Sequence, residues 1–134
     1  LKKFYKIISY MFRFYKFKNT FKAFPNPHIR TYSFLIKGSD FISFIKNKKI
    51  NNKVDAWSIE SGLNGLTNFF KKKKYNIFVV NSDGVKFTEN SWKLSETYIY
   101  LKQSKSLISD KHSRKYLKLS ARDKLYSSNI SWGK

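Results

Sequence analysis

The sequence predicts an α+β fold of two small lobes preceded by a basic N-terminal extension. Apolar residues at helical spacing recur between residues 41 and 70, which predicts helices in the first half of the chain. An Asp-Gly turn at 83–84 and a run of four aromatic or branched residues at 98–101 predict strands in the second half. We therefore expect an N-terminal α/β lobe of two helices on a short sheet and a β-rich C-terminal lobe. The expected boundaries are 1–37, 38–80 and 81–134.

Charge is the most informative bulk property of the chain. The 134 residues carry 28 Lys and Arg against 8 Asp and Glu, a formal net charge of +20. Such an excess repels itself unless a polyanion neutralises it, and nucleic acid is the usual candidate, with an anionic membrane surface as the competitor. Lys, Asn, Phe, Tyr and Ile are abundant, and their codons are rich in A and T. This bias indicates an A+T-rich genome, such as that of an organelle.

Several classes of protein are disfavoured by what the sequence lacks. Without cysteine there are no disulfides, thiolate metal sites or cysteine nucleophile, and two histidines do not make a histidine-rich metal site. The acidic residues are scattered, with no pair spaced for acid–base catalysis and no phosphate loop of the Gly-x-x-x-x-Gly-Lys type. We therefore expect a non-enzymatic protein with no cofactor, no metal and no small-molecule substrate. No apolar run approaches the ~18 residues of a membrane span, so no transmembrane segment is expected.

The N-terminal extension, residues 1–37, is basic and aromatic. Lysines alternate with Phe, Tyr and Ile over residues 1–22, and Pro25 and Pro27 interrupt any regular element. It could be a transit peptide, a membrane-surface helix or a segment that becomes ordered on RNA, and we favour the third. The chain begins with Leu1, which indicates a non-standard, processed or incomplete start.

The N-terminal lobe is expected to begin with a helix over residues 40–48, which has a wide apolar stripe and a basic C-terminal end. Residues 54–57 are consistent with an edge strand. A second helix should open at Ser58 or Ser61 and run through Phe70 to the four lysines at 71–74. Because cations complement the C-terminal end of a helix dipole, these lysines also have a purely structural interpretation.

A hairpin is expected where the two lobes meet, in which residues 77–80 at the end of the N-terminal lobe pair with residues 85–87 across the Asp-Gly turn. In the C-terminal lobe, a strand at 98–101 should then lead through a polar loop into a short basic helical turn over 110–116, with Ser109 as a plausible N-cap. Residues 117–132 should close the lobe as a hairpin-like pair.

The loop between the predicted strand and the helical turn is suited to phosphate. Serine hydroxyls and backbone N–H groups donate to phosphate oxygens in fixed geometry, and lysines supply charge. An ordinary solvated loop is the alternative interpretation. Taken alone, a short motif of this kind favours the ordinary loop.

This stretch resembles a signature of the small-subunit ribosomal protein eight family. In that family an apolar strand precedes Ser-Thr-Ser-Lys-Gly-Ile-Met-Thr-Asp and a basic segment ending in Ala-Arg. Placed without gaps, Ser104, Lys105 and Asp110 match the serine at the third position, the lysine and the acid of the signature. Ser113 and Arg114 fall on the Ala-Arg pair.

Two further segments are similar to the same family. Its first helix begins Asp-Met-Leu-Thr-Arg-Ile-Arg-Asn, and residues 40–47 read DFISFIKN. Its second helix ends Leu-Lys-x-x-Gly-Tyr-Ile, and residues 70–77 read FKKKKYNI. Trp132 fits the tryptophan that often ends the family, whose middle region is longer than the one here. The resemblance covers about residues 38–132.

The resemblance implies a structural constituent of an organellar, mitochondrial small ribosomal subunit that binds the central domain of its rRNA. Its partners would be small-subunit rRNA and neighbouring small-subunit ribosomal proteins, and its location the ribosome of the mitochondrial matrix, with an organelle gene as one origin. A basic peripheral subunit of a mitochondrial inner-membrane complex is the alternative. The expected RNA-binding residues are Lys46, Asn47, Lys48, Lys71, Lys72, Lys102, Ser104, Lys105, Ser106, Lys111 and Arg114.

Overall fold

The computed structural model describes residues 11, 14, 15 and 17–133, and helices make up most of their regular structure. Residues 17–20 are helical. The elements that follow are α1 (Gly38–Ile45), α2 (Lys53–Ser61), α3 (Leu66–Lys72), β1 (Val79–Val80), β2 (Lys86–Phe87), a 3₁₀ helix (Glu89–Ser95), α4 (Lys111–Leu117) and α5 (Ala121–Trp132). The prediction of an α+β fold with a β-rich C-terminal lobe is therefore wrong. Within the described residues, β1 and β2 form the only sheet.

The predicted hairpin is confirmed in that sheet. Strands β1 and β2 are antiparallel, with Val79 opposite Phe87 and Val80 opposite Lys86. Gly84 has a φ of 77°, which glycine adopts without strain. The buried side chain of Asn81 closes the turn, because its Oδ1 accepts from the backbone N–H groups of Asp83 and Val85.

The first helix is confirmed as α1, whereas residues 54–57 are not an edge strand. They lie inside α2, because the side chain of Asn52 accepts from the N–H groups of Val54 and Asp55 and so caps a helix there. The predicted second helix is in fact two, separated at Gly62 and Gly65. A Cβ on Gly62 would lie 2.4 Å from the carbonyl oxygen of Ser58, so the chain turns at a point where only glycine fits.

The predicted strand at 98–101 is also wrong. Ile99, Leu101 and Gln103 have φ angles of 40°, 45° and 52°, which no strand allows. The buried amide of Gln103 holds this loop, since its Oε1 accepts from Ile99 N–H at 2.7 Å and its Nε2 donates to the carbonyl of Ser113 at 3.0 Å. The strand was predicted from the aromatic and branched residues at 98–101, without considering the hydrogen bonds that the Gln103 amide makes.

Most of the segment expected to form the final hairpin-like pair, residues 117–132, is the helix α5. Ser120 caps it by accepting from Asp123 N–H, and the Ser120 hydroxyl donates to the carboxylate of Asp123. The indole of Trp132 at its end donates to the carbonyl of Tyr98 at 3.0 Å. The C-terminal half of the described chain is therefore a hairpin, a 3₁₀ helix, an irregular loop and two helices.

The main core lies where α1 and α3 meet, around Phe44, Leu66 and Phe70. The segment before α1 packs on the same body, since Ile29 N–H donates to Thr67 and the side chain of Asn26 donates to Ser61. The expected boundaries after residues 37 and 80 stay predictions. No helix in the described part of the chain is long and apolar enough to cross a bilayer.

Candidate nucleic-acid interface

Five of the eight carboxylates of the chain form ion pairs with its own cations. These pairs, among the described residues, are Arg30–Glu60, Arg30–Asp110, Lys71–Glu89, Lys73–Asp40 and Lys105–Asp83. The acids are thus largely used within the fold. The many cations that remain set the sign of the surface potential, which is strongly positive.

The serine and lysine loop at 104–106 is engaged by the chain itself. The Ser104 hydroxyl donates to Glu96 at 3.2 Å, and the Lys105 ammonium lies 2.7 Å from an oxygen of Asp83. The hydrogen bond to Asp83, together with its charge, raises the pKa of Lys105. The Ser106 hydroxyl donates to the carbonyl of Ile108 at 2.7 Å. A phosphate at this loop would have to displace these acceptors.

The basic ends of two helices, in contrast, come together. The Lys48 ammonium donates to the backbone oxygen of Asn64 at 3.1 Å, and the Lys72 ammonium donates to the side-chain oxygen of the same residue at 3.5 Å. Asn64 lies in the Gly62–Gly65 turn, so this turn joins the C-terminal ends of α1 and α3. Two lysines predicted from separate motifs therefore share one surface.

The remaining predicted RNA-binding residues near these helix ends, and Lys102 in the irregular loop, differ in whether their side chains already have partners within the protein. Lys46 and Asn47 follow α1 and are exposed. Lys71, in the last turn of α3, forms the ion pair with Glu89. Lys102, in the irregular loop, is exposed and has no hydrogen bond or ion pair of its side chain among the described residues. Lys46, Asn47 and Lys102 are thus open to a partner as they stand.

Helix α4 displays a row of four cations. Lys111, Arg114, Lys115 and Lys118 follow one another at i, i+3, i+4 and i+7, the spacing of a single helical face. All four are exposed, and Lys118 is the C-cap in a helical conformation. We call this set the α4 basic face. Within the described residues, none of its members has a carboxylate partner.

The opposite side of α4 is fixed to the body of the protein. Ser113 and Tyr116 are 2% and 4% exposed. At the start of the helix, Asp110 accepts from Ser113 N–H while its own N–H donates to the Ser113 hydroxyl, a reciprocal capping box. Burial of Asp110 opposes its ionisation, but the Ser113 hydrogen bonds and the Arg30 charge hold its pKa below the usual value. The basic face is therefore carried by a helix with a firmly held start.

Placing four like charges on one face has an energetic cost. Like charges at i, i+3 and i, i+4 destabilise a helix by about 0.2–0.5 kcal/mol a pair, so the four such pairs here cost about 1–2 kcal/mol. Among the described residues, no ion pair with a carboxylate relieves that repulsion. An external anion would relieve it, which makes this face a candidate for polyanion binding.

Lys111 and Arg114 were predicted from the sequence, whereas Lys115 and Lys118 were not. Their signal was present in the i, i+4, i+7 spacing from Lys111. It was overlooked because the helical turn was taken to end at Tyr116 and a strand was expected after it. Because α4 continues to Leu117 with Lys118 as its C-cap, the four cations lie on one side of a single helix.

Comparison of the chain with models of protein families, with curated proteins and with solved structures found no match. The resemblance to small-subunit ribosomal protein eight therefore stays a prediction from the motifs. Its β-rich C-terminal lobe is not what residues 81–133 form. Any function has to be inferred from the charges and geometry of the described surfaces.

Proposed function

We propose that this protein is an RNA-binding structural constituent of an organellar small ribosomal subunit, located in the mitochondrial matrix. The observation that carries the proposal is the net charge of +20 on a chain whose carboxylates are mostly engaged internally. Proteins that coat folded RNA need many phosphate contacts and no catalytic cluster. The abundance of amino acids whose codons are rich in A and T supports an organellar origin.

Two surfaces supply the contacts in this proposal. The first is the paired helix ends around Asn64, where Lys48 and Lys72 converge. The second is the α4 basic face. The loop at Ser104 and Lys105 has a lesser part, because Glu96 and Asp83 already engage its polar groups.

Crosslinking of the full-length protein to RNA in isolated mitochondrial ribosomal particles tests the proposal. We expect crosslinks to small-subunit rRNA, and release of the protein from the particles by high salt without detergent, because phosphate contacts are weakened by counterions. A protein that sediments with membranes and requires detergent for release would overturn the proposal.

The second candidate is a peripheral subunit of an inner-membrane complex. It is favoured by the exposed rings before α1, since Phe14 and Phe24 are 74% and 75% exposed and Leu35 in the same segment is fully so. Exposed apolar groups among lysines suit an anionic lipid surface. The same fractionation distinguishes the two candidates, because lipid insertion resists salt and phosphate contacts do not.

A further inference from the structure

The α4 basic face is a compact and elongated array of positive charge. From Lys111 to Lys118 the helix rises roughly 10 Å, at 1.5 Å a residue. Its cations stand on a helix whose first turn is held by the capping box and whose Ser113 carbonyl is bonded to Gln103. An array held in this way binds with little loss of backbone freedom, which favours a partner whose anionic groups are themselves held in rows.

The face carries much charge but few groups on which bases could stack. Tyr116, the large aromatic residue of α4, is buried. Proteins that bind single strands combine a basic groove with exposed rings on which successive bases stack. A single-stranded nucleic acid would therefore find charge on this face, but only the Arg114 guanidinium and the neighbouring His112 ring to stack on, too few for a row of successive bases.

A lipid surface fits the same face poorly. A membrane-surface helix inserts an exposed apolar side, and the apolar residues of α4 are the buried Tyr116 and the half-exposed Leu117. One leucine does not make an apolar side. Of the three anionic partners compared, a duplex fits the face best, because it presents regular rows of phosphates and hides its bases.

We propose that the α4 basic face docks on the phosphate backbone of double-stranded RNA. This inference rests on the proposed function and assigns it a surface and a class of RNA. Duplex RNA is recognised largely by shape and by contacts to phosphates and ribose hydroxyls, and the extended side chains of this face supply charge to neighbouring phosphates. The contact depends on RNA geometry and charge, not on base sequence.

The test compares two triple variants of the full chain that carry the same change in charge. The first replaces Lys111, Lys115 and Lys118 with glutamine, which keeps high helix propensity. The control replaces Lys49, Lys53 and Lys86 with glutamine, all exposed, without an ion pair in the described structure and outside the expected RNA-binding residues. The probes are a fluorescent RNA duplex of about 16 base pairs, a poly(U) strand with the same number of phosphates, and phosphatidylserine vesicles.

We expect the unaltered protein to prefer the duplex to poly(U). The first variant should lose about tenfold or more in duplex affinity. Its plot of log affinity against log salt concentration should be shallower by roughly 2 to 3, as expected for three lost phosphate contacts. The control should lose about threefold or less, since it loses only long-range attraction. Replacement of the same three α4 lysines with arginine should retain binding, and circular dichroism should show an unchanged helix content in every variant.

The possible failures differ in what they overturn. If neither RNA binds the unaltered protein, both the proposed function and this inference fail. If RNA binds but the two glutamine variants lose affinity equally, or if poly(U) is preferred, the inference fails and the proposed function stands. Binding to vesicles without binding to RNA would favour the membrane candidate.

Discussion

The guanidinium carbon of Arg30 lies 4.1 Å from the centroid of the Tyr98 ring. The same guanidinium pairs with Glu60 in α2 and with Asp110 at the start of α4, at 3.8 and 3.5 Å. One side chain thus joins the segment before α1, the second helix and the C-terminal loop. The contact also affects the pKa of Tyr98. Burial raises this pKa to about 12, although the Arg30 charge lowers it.

Replacement of Arg30 with lysine should destabilise the protein although the charge is kept. Lysine cannot lie flat on the Tyr98 ring and reach two carboxylates at once. From the usual strength of cation–π contacts and of partly exposed ion pairs, we expect a loss of about 1–2 kcal/mol in the free energy of unfolding. Urea denaturation measures it. Arg122→Lys, at an exposed site in α5 with no ion pair in the described structure, is the matched control, and equal effects in the two variants would contradict the role of Arg30.

Asp110 has two structural roles that substitution can separate. Asp110→Asn keeps an oxygen that can cap α4 and removes the charge that pairs with Arg30, so it should cost a few tenths of a kcal/mol. Asp110→Ala removes both and should cost about 1 kcal/mol more, with a loss of helix signal in circular dichroism. If the two variants were equally stable, the capping box would have no energetic weight.

Stability should fall as the solution becomes acidic, in two stages. Burial lowers the pKa of His28, so below its ordinary value of 6.5 the unfolded chain binds the extra proton more readily and stability is lost. The pKa of Asp110 is also lowered in the fold, so its contribution is present above its unfolded pKa and is lost as pH falls through the folded one.

The midpoint of urea unfolding between pH 7 and pH 3 measures both stages. The variant His28→Gln should lose less stability than the unaltered protein between pH 7 and pH 5. Asp110→Asn should show a smaller loss below pH 4. A midpoint that rises on acidification would show that other groups dominate.

RNA affinity should depend steeply on salt. If six lysines neutralise phosphates, affinity falls on the order of a thousandfold between 50 and 200 mM salt. Fluorescence anisotropy with the RNA duplex measures the slope. A flat response would contradict binding through phosphate contacts.

Removal of Asp83 should improve binding. The Asp83 carboxylate holds the Lys105 ammonium at 2.7 Å, so Asp83→Asn releases a cation beside the 104–106 loop. One additional phosphate contact at physiological salt is worth about two- to fivefold in affinity. Asp123→Asn removes the same charge without releasing a lysine and should give a smaller gain. Lys105→Ala should accordingly weaken binding less than Lys115→Ala.

The parts of the fold that were predicted correctly have local causes. Helix α1 follows from an apolar stripe, and the β1–β2 hairpin follows from an Asp-Gly turn. The caps of α2 and α5 are local as well, in Asn52 and Ser120, but they were not recognised as helix starts in the sequence. In both places an N-cap and the helix-compatible residues after it decide the structure.

The candidate site was only partly predictable for a different reason. Lys48 and Lys72 both bond to Asn64, which lies in the turn between α2 and α3. A single helix had been predicted across this turn. Ser104 and Lys105 are paired with Glu96 and Asp83, and these contacts span eight and more residues of irregular chain. Residue type predicted the charge, whereas tertiary contacts decide which charges stay free.

The loop between the 3₁₀ helix and α4 strongly restricts which residue can occupy position 103. Gln103 is 7% exposed, its backbone is left-handed, and both ends of its amide are hydrogen-bonded. Glycine would relieve the backbone but lose both bonds, and glutamate would lose the donor to Ser113. In a saturation library selected for folding, the exposed Leu101 should therefore accept glycine or asparagine, while position 103 should accept almost nothing but glutamine.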